Sequence, residues 1–376
     1  LERRAVKASR ILIIGGGIGG LTAAIALRQR AFDVDLLEKN PPMTVYGVGI
    51  IQQANVIRAF GQLGILDEYV SAGFGFDHVS VYLGSGDLVA KIPAPRLVDG
   101  YFANLGISRR SLHQVLTNTA TRLGAHLQFG STTTRLEDTG DSVVAHFEHQ
   151  APKTYDLVIA ADGINSSTRE AVFPEAPTPE YTGQAVWRYN FPRPKEIDGI
   201  CTYMGPTGVG LVPLSQDEMY MFVTTAEPDD RRPPRDGLAA SMRERLKGCP
   251  PAIQTLGSQI TNDDAVVYRP LEWVLLRGPW HRGRIVFLGD AVHATTPHLG
   301  QGAGMAIEDA LVLADELSMA ETVEEACTAY HDRRFERCEY IVEKSKAICY
   351  GQLGKGPAID HGKATAEMFA VIAKPI

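Results

Sequence analysis

Two groups of residues in this chain have the types and spacing to handle a ligand. The first spans residues 284–310, RIVFLGDAVHATTPHLGQGAGMAIEDA. An apolar run at 285–288 reads as a buried strand and ends at Gly289-Asp290, which puts one carboxylate at a strand tip. Pro297 follows, then Gly300-Gln301-Gly302-Ala303-Gly304 and a helix expected to begin near Met305. An acid at a strand tip and clustered glycines at a helix start suit a site where backbone closely approaches a flat or anionic ligand. The second group lies at residues 10–38. A β-branched run at 10–14 precedes Gly15-Gly16-Gly17-Ile18-Gly19-Gly20, which satisfies G-x-G-x-x-G through Gly15, Gly17 and Gly20. An Ala- and Leu-rich helix at 21–30 leads to a second strand at 34–38 that ends in Glu38. Here the chemistry is specific. Gly15 permits the tight turn, Gly17 lets backbone approach a pyrophosphate, Gly20 lets the helix pack on the strand, and Glu38 can accept from a ribose hydroxyl. The pattern identifies a dinucleotide-binding βαβ unit.

Composition bounds what surrounds these groups. The 376 residues allow two or three domain-sized units with a sizeable core. A hydrophobic content of 44% and a charged content of 22% are those of a soluble globular protein. The net charge of -7, from 37 basic and 44 acidic residues, argues against a nucleic-acid partner. No apolar run approaches the roughly 18 residues of a membrane span, and the first ten residues lack the apolar stretch of a signal peptide. Five scattered cysteines without a C-x-x-C, and ten histidines without ligand spacing, point to a reduced, cytoplasmic protein with no metal centre.

The elements that must position the two groups follow from periodicity. Residues 54–73 and 111–123 read as amphipathic helices, residues 79–92 and 127–149 as hairpins, and residues 156–161 as a buried strand. Between Pro174 and Pro270 prolines and short strands dominate, with a helix near 237–246 and a solvated loop at 231–236. From residue 285 the α/β character returns, and helices at 305–317 and 324–350 follow. The expected class is α/β: a discontinuous Rossmann-like dinucleotide domain (1–75, 101–175 and 276–325), an inserted β-rich substrate domain (76–100 and 176–275) and a C-terminal helical region (326–376).

Four motifs in order, GGGIGG (15–20), ISRRSLHQVL (107–116), ADGINSSTR (161–169) and GDAVHATTPHLGQGAG (289–304), closely resemble the single-component FAD-dependent aromatic hydroxylases, the group of p-hydroxybenzoate, salicylate and urate hydroxylases. The resemblance extends to about residue 345. It implies that Gly15, Gly17, Gly20 and Glu38 hold the pyrophosphate and adenosine ribose of FAD. Arg109 would contact the flavin chain, Asp162 the cofactor or the nicotinamide nucleotide, and Asp290 the ribityl hydroxyls. Pro297, Gly300, Gly302, Ala303 and Gly304 would lie against the isoalloxazine ring. With one dinucleotide fingerprint in place of two, the resemblance implies that NADH or NADPH docks transiently to reduce the flavin. Oxygen, as O2, is then transferred through a flavin hydroperoxide to an electron-rich ring.

The substrate side is less explicit. Arg188 and Tyr189 begin one strand of the insert, and Tyr203 and Tyr220 lie on others. Tyr220 faces away from Met219 and Met221 and is the first catalytic candidate, because related hydroxylases use this strand to line the pocket. His298 and its neighbour Pro297 are the other catalytic candidates, whereas His293 reads as a structural histidine. Arg188 is a candidate to hold a substrate carboxylate. The expected partner is a small aromatic molecule, a phenol, an aromatic acid or an N-heteroaromatic, taken by a monomer or homodimer. An FAD-dependent epoxidase is the alternative enzyme. A binding protein like the Rab GDP-dissociation inhibitors is disfavoured by the Gly289-Asp290 pair.

Overall fold

The computed structural model describes residues 10–42, 47–204, 207–227 and 233–376. The apolar run near the N-terminus forms the strand Arg10–Ile14, with Ile11 to Ile14 all buried. A strand apolar on both faces belongs inside a parallel sheet covered on both sides. The sheet has six strands in the order His281–Arg282, Ile285–Phe287, Leu157–Ala160, Arg10–Ile14, Asp33–Glu38 and His126–Phe129, parallel except for the first. Register matters more than order. Ile14 lies beside both Leu37 and Ala160, and Ala160 beside Phe287. The strands therefore end level, and the residues at or just beyond their ends (Glu38, Gly15, Asp162 and Asp290) gather along one carboxyl edge. Open α/β sheets bind ligands there.

The β-rich segments form one seven-stranded sheet. Its order is Val267–Trp273, Glu180–Pro192, Glu218–Ala226, Gly208–Pro213, Ile200–Tyr203, His78–Tyr82 and Leu88–Pro93. Each of its two faces carries its own apolar cluster, as the period of two requires. Trp187, Met219, Met221 and Val223 pack with the helices Leu238–Arg245 and Pro251–Ser258 on one face, here called outer. Tyr220, Val212, Ile200 and Phe76 form the inner cluster.

The inner face meets the dinucleotide unit through a three-stranded sheet the sequence did not announce, Gly49–Gln52, Asn104–Ser108 and Phe74–Phe76. Contact there is close. A Cβ on Gly106 would stand 1.9 Å from the Pro213 carbonyl oxygen, and one on Gly49 would stand 2.5 Å from the Tyr220 ring.

The expected helix at 54–73 is two helices, Ala54–Gln62 and Leu66–Ser71, broken at Gly64, whose φ of 65° no continuing helix adopts. The last helices are Val323–Gln352, started by a capping box between Thr322 and Glu325, and His361–Ala373, within the expected C-terminal helical region. Arg58 anchors that tail by donating to the carbonyls of Ile372 and Ala373. Of the expected loop at 231–236, residues 231 and 232 lie outside the described residues. No helix among the described residues is long and apolar enough to cross a membrane.

Candidate active site

The glycine loop is shaped for a pyrophosphate. Gly15 has φ 111°, and a Cβ there would stand 2.2 Å from the Ala161 carbonyl oxygen. A Cβ on Gly20 would stand 2.0 Å from the Gly15 carbonyl oxygen, so the helix packs onto the turn only because position 20 is glycine. Gly17 differs. A Cβ there would meet nothing within 4 Å and would project into an open cradle. The helix Ile18–Gln29 begins at this point without a side-chain cap and without an acid in its first turn, leaving its first N–H groups for an anion. Glu38 braces the loop, accepting from the Gly16 N–H at 2.9 Å and the Asn40 N–H at 2.8 Å.

The second glycine cluster builds the other half. Gly289 turns the chain at φ 64°, and Asp290 follows. The Asp290 carboxyl lies deep enough for burial to raise its pKa, with His293 and Arg109 opposing, yet its side chain stays exposed and pairs with no described residue. A carboxylate surrounded but not capped lines an open cleft. Pro297 is exposed in a 3₁₀ turn that closes at Gly300, φ 66°. The next helix, Gly302–Met319, starts three residues earlier than expected, again uncapped and without an early acid, with Gly302 and Ala303 half-buried. The two helix starts are adjacent, since a Cβ on Gly19 would stand 3.2 Å from the Ala306 Cβ. Gly304 backs onto an amide network: its Cβ would meet the Gln301 Oε1 at 2.6 Å, and that oxygen accepts from Asn55 at 3.0 Å. Gln53 completes the network by donating to the Leu299 carbonyl at 3.2 Å. No sequence signal marked Gln53, Asn55 or Gln301.

Arg109 joins the two halves to the sheet. It opens the helix Arg109–Arg122 behind the Ser108 cap, where the helix dipole disfavours a cation. Burial lowers its pKa, while Tyr220 and Asp290 favour its charge, so the guanidinium lies among a cofactor-side acid and a sheet-side phenol. An open cradle, two uncapped helix starts and an unpaired carboxylate fit a dinucleotide with a ribityl chain.

Register decides which insert residues face this cleft. Arg188 lies opposite Phe222 and Asn190 opposite Tyr220, so Arg188 and Tyr220 share the inner face. Arg269 lies opposite Val186 on the same face; it was not singled out from sequence, because its strand lies some 80 residues from Arg188. Tyr189 and Tyr203 were expected to touch substrate, and the structure corrects both. They pack with the outer cluster, Tyr189 against Phe191 and Tyr203 stacked on Tyr82 at 4.8 Å. Burial pushes the Tyr203 hydroxyl up to about 12, as expected of a ring packed away from the cleft.

Three further polar groups have partners within the chain. Asp162, expected at the cofactor or the nicotinamide nucleotide, holds its own loop, accepting from the Ser166 hydroxyl at 2.5 Å and the Thr168 N–H at 3.1 Å. His298, a catalytic candidate beside Pro297, has its ring nitrogens bonded to Thr296 at 3.0 Å and Gln352 at 3.1 Å, which ties the Pro297 turn to the long C-terminal helix. His293, Asp309 and Cys338 bring potential metal-ligand atoms within 4.8 Å of one another, although the histidine spacing had suggested no such group. Arg334 already supplies the cation there, donating to Asp309 at 2.8 Å and pairing with Glu308 at 2.7 Å.

Fold and cleft together define a flavoprotein of the dinucleotide-binding class. The model of the FAD binding domain family matches residues 8–345, and the chain belongs to that family. It is 33% identical over 361 residues to the 6-hydroxynicotinate 3-monooxygenase of Pseudomonas fluorescens, covering 89% of this chain and 90% of that protein. It is 29% identical over 365 residues to the FAD-dependent urate hydroxylase of Klebsiella pneumoniae, covering 94% of this chain and 91% of the other. The structure of Klebsiella pneumoniae HpxO complexed with FAD and uric acid superposes with a TM-score of 0.83 at 27% identity, covering 97% of this chain and 92% of that one. The protein is an FAD-dependent monooxygenase, an oxidoreductase with FAD as its cofactor.

Proposed function

We propose that the protein hydroxylates a small aromatic or N-heteroaromatic molecule, with NADH or NADPH as transient reductant and O2 as co-substrate. One observation carries the reading: Arg109 neighbours both Asp290, on the cofactor side, and Tyr220, on the inner face of the sheet. A molecule held at Tyr220 is therefore held beside the cofactor. Related proteins that act on hydroxynicotinate and urate support a flat, electron-rich ring.

FAD, when bound, supplies the redox chemistry, accepting reducing equivalents and passing one oxygen atom of O2 to the substrate. The chain supplies the rest. The uncapped starts at Gly17 and Gly302 offer N–H groups to negative charge, and Asp290 takes hydroxyls of the cofactor chain. Burial raises the Tyr220 pKa against the pull of Arg188 and Arg109, so its hydroxyl stays protonated at neutral pH. It can then donate to an oxygen or ring nitrogen of the substrate and orient the ring. The inner sheet face shields the cleft from water, which limits wasteful release of peroxide.

The test is a panel of hydroxylated aromatic acids, phenols and N-heteroarenes, read by stimulated NADH or NADPH oxidation together with product analysis. A ring-hydroxylated product is expected. Flavin-loaded protein that no ring compound stimulates, or that oxidises only alkenes, would overturn the reading.

A further inference from the structure

We propose that Glu308 is a positioning residue for the cofactor: it sets the direction of a buried run of side-chain amides that holds the segment 297–304 and keeps the helix start within it open towards FAD. This rests on the cofactor reading of the cleft above and names the groups that fix one wall of it.

Asn55, Gln301 and Glu308 are each 1% exposed. With water excluded, each amide must find its partners among the others. Glu308, about two turns beyond Gln301 on the helix Gly302–Met319, accepts from the Asn55 Nδ2 at 3.1 Å. An ionised carboxylate only accepts, so the Asn55 amino group must face it. That amino group also donates to the Gln301 Oε1 at 3.0 Å, while the Asn55 Oδ1 accepts from the Gln301 Nε2 at 3.1 Å. The Gln301 Nε2 donates again to the Gln53 Oε1, which leaves the Gln53 Nε2 for the Leu299 carbonyl at 3.2 Å. One direction runs through the whole series. Turning any amide over would set donor against donor or acceptor against acceptor. Among these side chains only Glu308 cannot serve both ways, so it fixes the direction for the rest.

The far end of the series is the wall of the cleft. Leu299 closes the 3₁₀ turn Pro297–Leu299, and Gln301 stands at the N-cap of Gly302–Met319. A polar N-cap side chain ordinarily bonds the first N–H groups of its own helix. The Gln301 amide is held away from them, against Asn55 and Gln53, and makes no such bond. The helix start is left to negative charge on the cofactor. Glu308 is itself pinned. Arg334 pairs with it at 2.7 Å and Arg337 at 3.0 Å, and Arg337 also donates to the carbonyls of Lys374 and Pro375. Two guanidinium groups thus hold the carboxylate at this spot.

FAD titration of folded apoprotein and the absorbance spectrum of the bound flavin test the proposal, alongside thermal melts. Asn55→Asp sets a second carboxylate against Glu308, and Glu308→Gln brings a donor to the Asn55 amino group. Each should weaken FAD binding about 10-fold or more and alter the flavin spectrum. The double variant, Asn55→Asp with Glu308→Gln, again sets a donor against an acceptor and keeps the total charge. It should recover part of the lost affinity and move the spectrum back towards the parent's. Val56→Ala, buried in the same helix but outside the series, should lower the melting temperature and leave both flavin readings unchanged. Where a single charge variant does not fold, Asn55→Ala takes its place, with the same expected loss. Parental affinity and spectrum in variants that only melt lower would make Glu308 a structural residue and overturn the proposal. A double variant that binds no better than the weaker single overturns it too. If Gly17→Val and Asp290→Ala also bind FAD as the parent does, the cofactor reading of the cleft fails, and this inference fails with it.

Discussion

Asp309 accepts a hydrogen bond from the His293 Nε2 at 2.6 Å, and neither side chain has any exposed surface. The same carboxylate accepts from the Gly289 N–H at 3.1 Å and from the Arg334 Nε at 2.8 Å. One buried acid thereby ties three things together: the turn that presents Asp290, the helix Gly302–Met319 and the helix Val323–Gln352. Asp309→Asn should cost about 3–5 kcal/mol, because it leaves Arg334 and His293 short of a counter-charge. Flavin affinity should fall with it as the Asp290 turn loosens. Chemical denaturation and flavin titration of the same variant check both effects.

The pH dependence of this pair has a definite sign. Burial opposes the charge of His293, but Cys338 and Asp309 outweigh it and hold the pKa well above the ordinary 6.5. A raised histidine contributes stability that is complete below about 6.5 and is lost as pH rises towards the folded value. For Asp309, burial is outweighed by His293 and Arg334, and the pKa falls below the ordinary 3.8. Its contribution is complete above that value and is lost in acid. The stability difference between the parent protein and His293→Gln should therefore shrink as pH climbs from 6.5 to 9. Melting curves across that range are the measurement, and a constant difference would refute the charged pair.

Asp290→Ala removes a carboxylate that pairs with none of the described residues. The apoprotein should fold as before, since burial of that charge is a cost to folding. FAD affinity should drop by about 10- to 100-fold, the worth of a hydrogen bond to a charged group. Flavin absorbance per protein after gel filtration, followed by titration with FAD, reads the change.

Two glycine substitutions should part company. Gly17→Val adds atoms where nothing lies within 4 Å, so the apoprotein should melt normally but stay colourless. Gly15→Ala places a Cβ 2.2 Å from the Ala161 carbonyl oxygen at φ 111°, so it should lower the melting temperature even without FAD. Thermal melts of both apoproteins decide the matter.

Tyr220→Phe keeps the ring that packs over Gly49 and removes only the hydroxyl. Stability should change by no more than about 1 kcal/mol. Product formed per reductant consumed should fall, with peroxide making up the balance. Intact coupling and rate would take Tyr220 out of the site.

The glycine turns and the acids at the strand ends were legible because their constraints are local. Gly15, Gly17, Gly20 and Glu38 fall within one βαβ unit, and Gly289-Asp290 and Gly300 to Gly304 within one strand–turn–helix. Each glycine answers a steric demand set by residues close by or by a neighbouring strand end. The substrate half was only partly legible. Alternation showed that Tyr220 and Met219 face opposite ways, but not which face the cleft would use, so Tyr189 and Tyr203 entered as candidates alongside Arg188 and Tyr220. Side-chain type likewise could not rank the two histidines' surroundings. The His298 nitrogens are taken by Thr296 and by Gln352, which lies 54 residues away.

By itself, the sequence determined a dinucleotide-binding α/β frame, its glycine turns and an acid at the tip of a late strand. These depend on backbone conformation over a few residues, which residue type controls directly. Only the tertiary structure decided the rest. It selected the inner face of the seven-stranded sheet, set Arg269 beside Arg188, brought Arg109 near enough to Asp290 and Tyr220 to feel their charge, and enlisted Asp309 to hold the Asp290 turn. These relationships depend on strand register and sheet packing between segments as far apart as Arg109 and Asp290, where no short-range pattern carries the information.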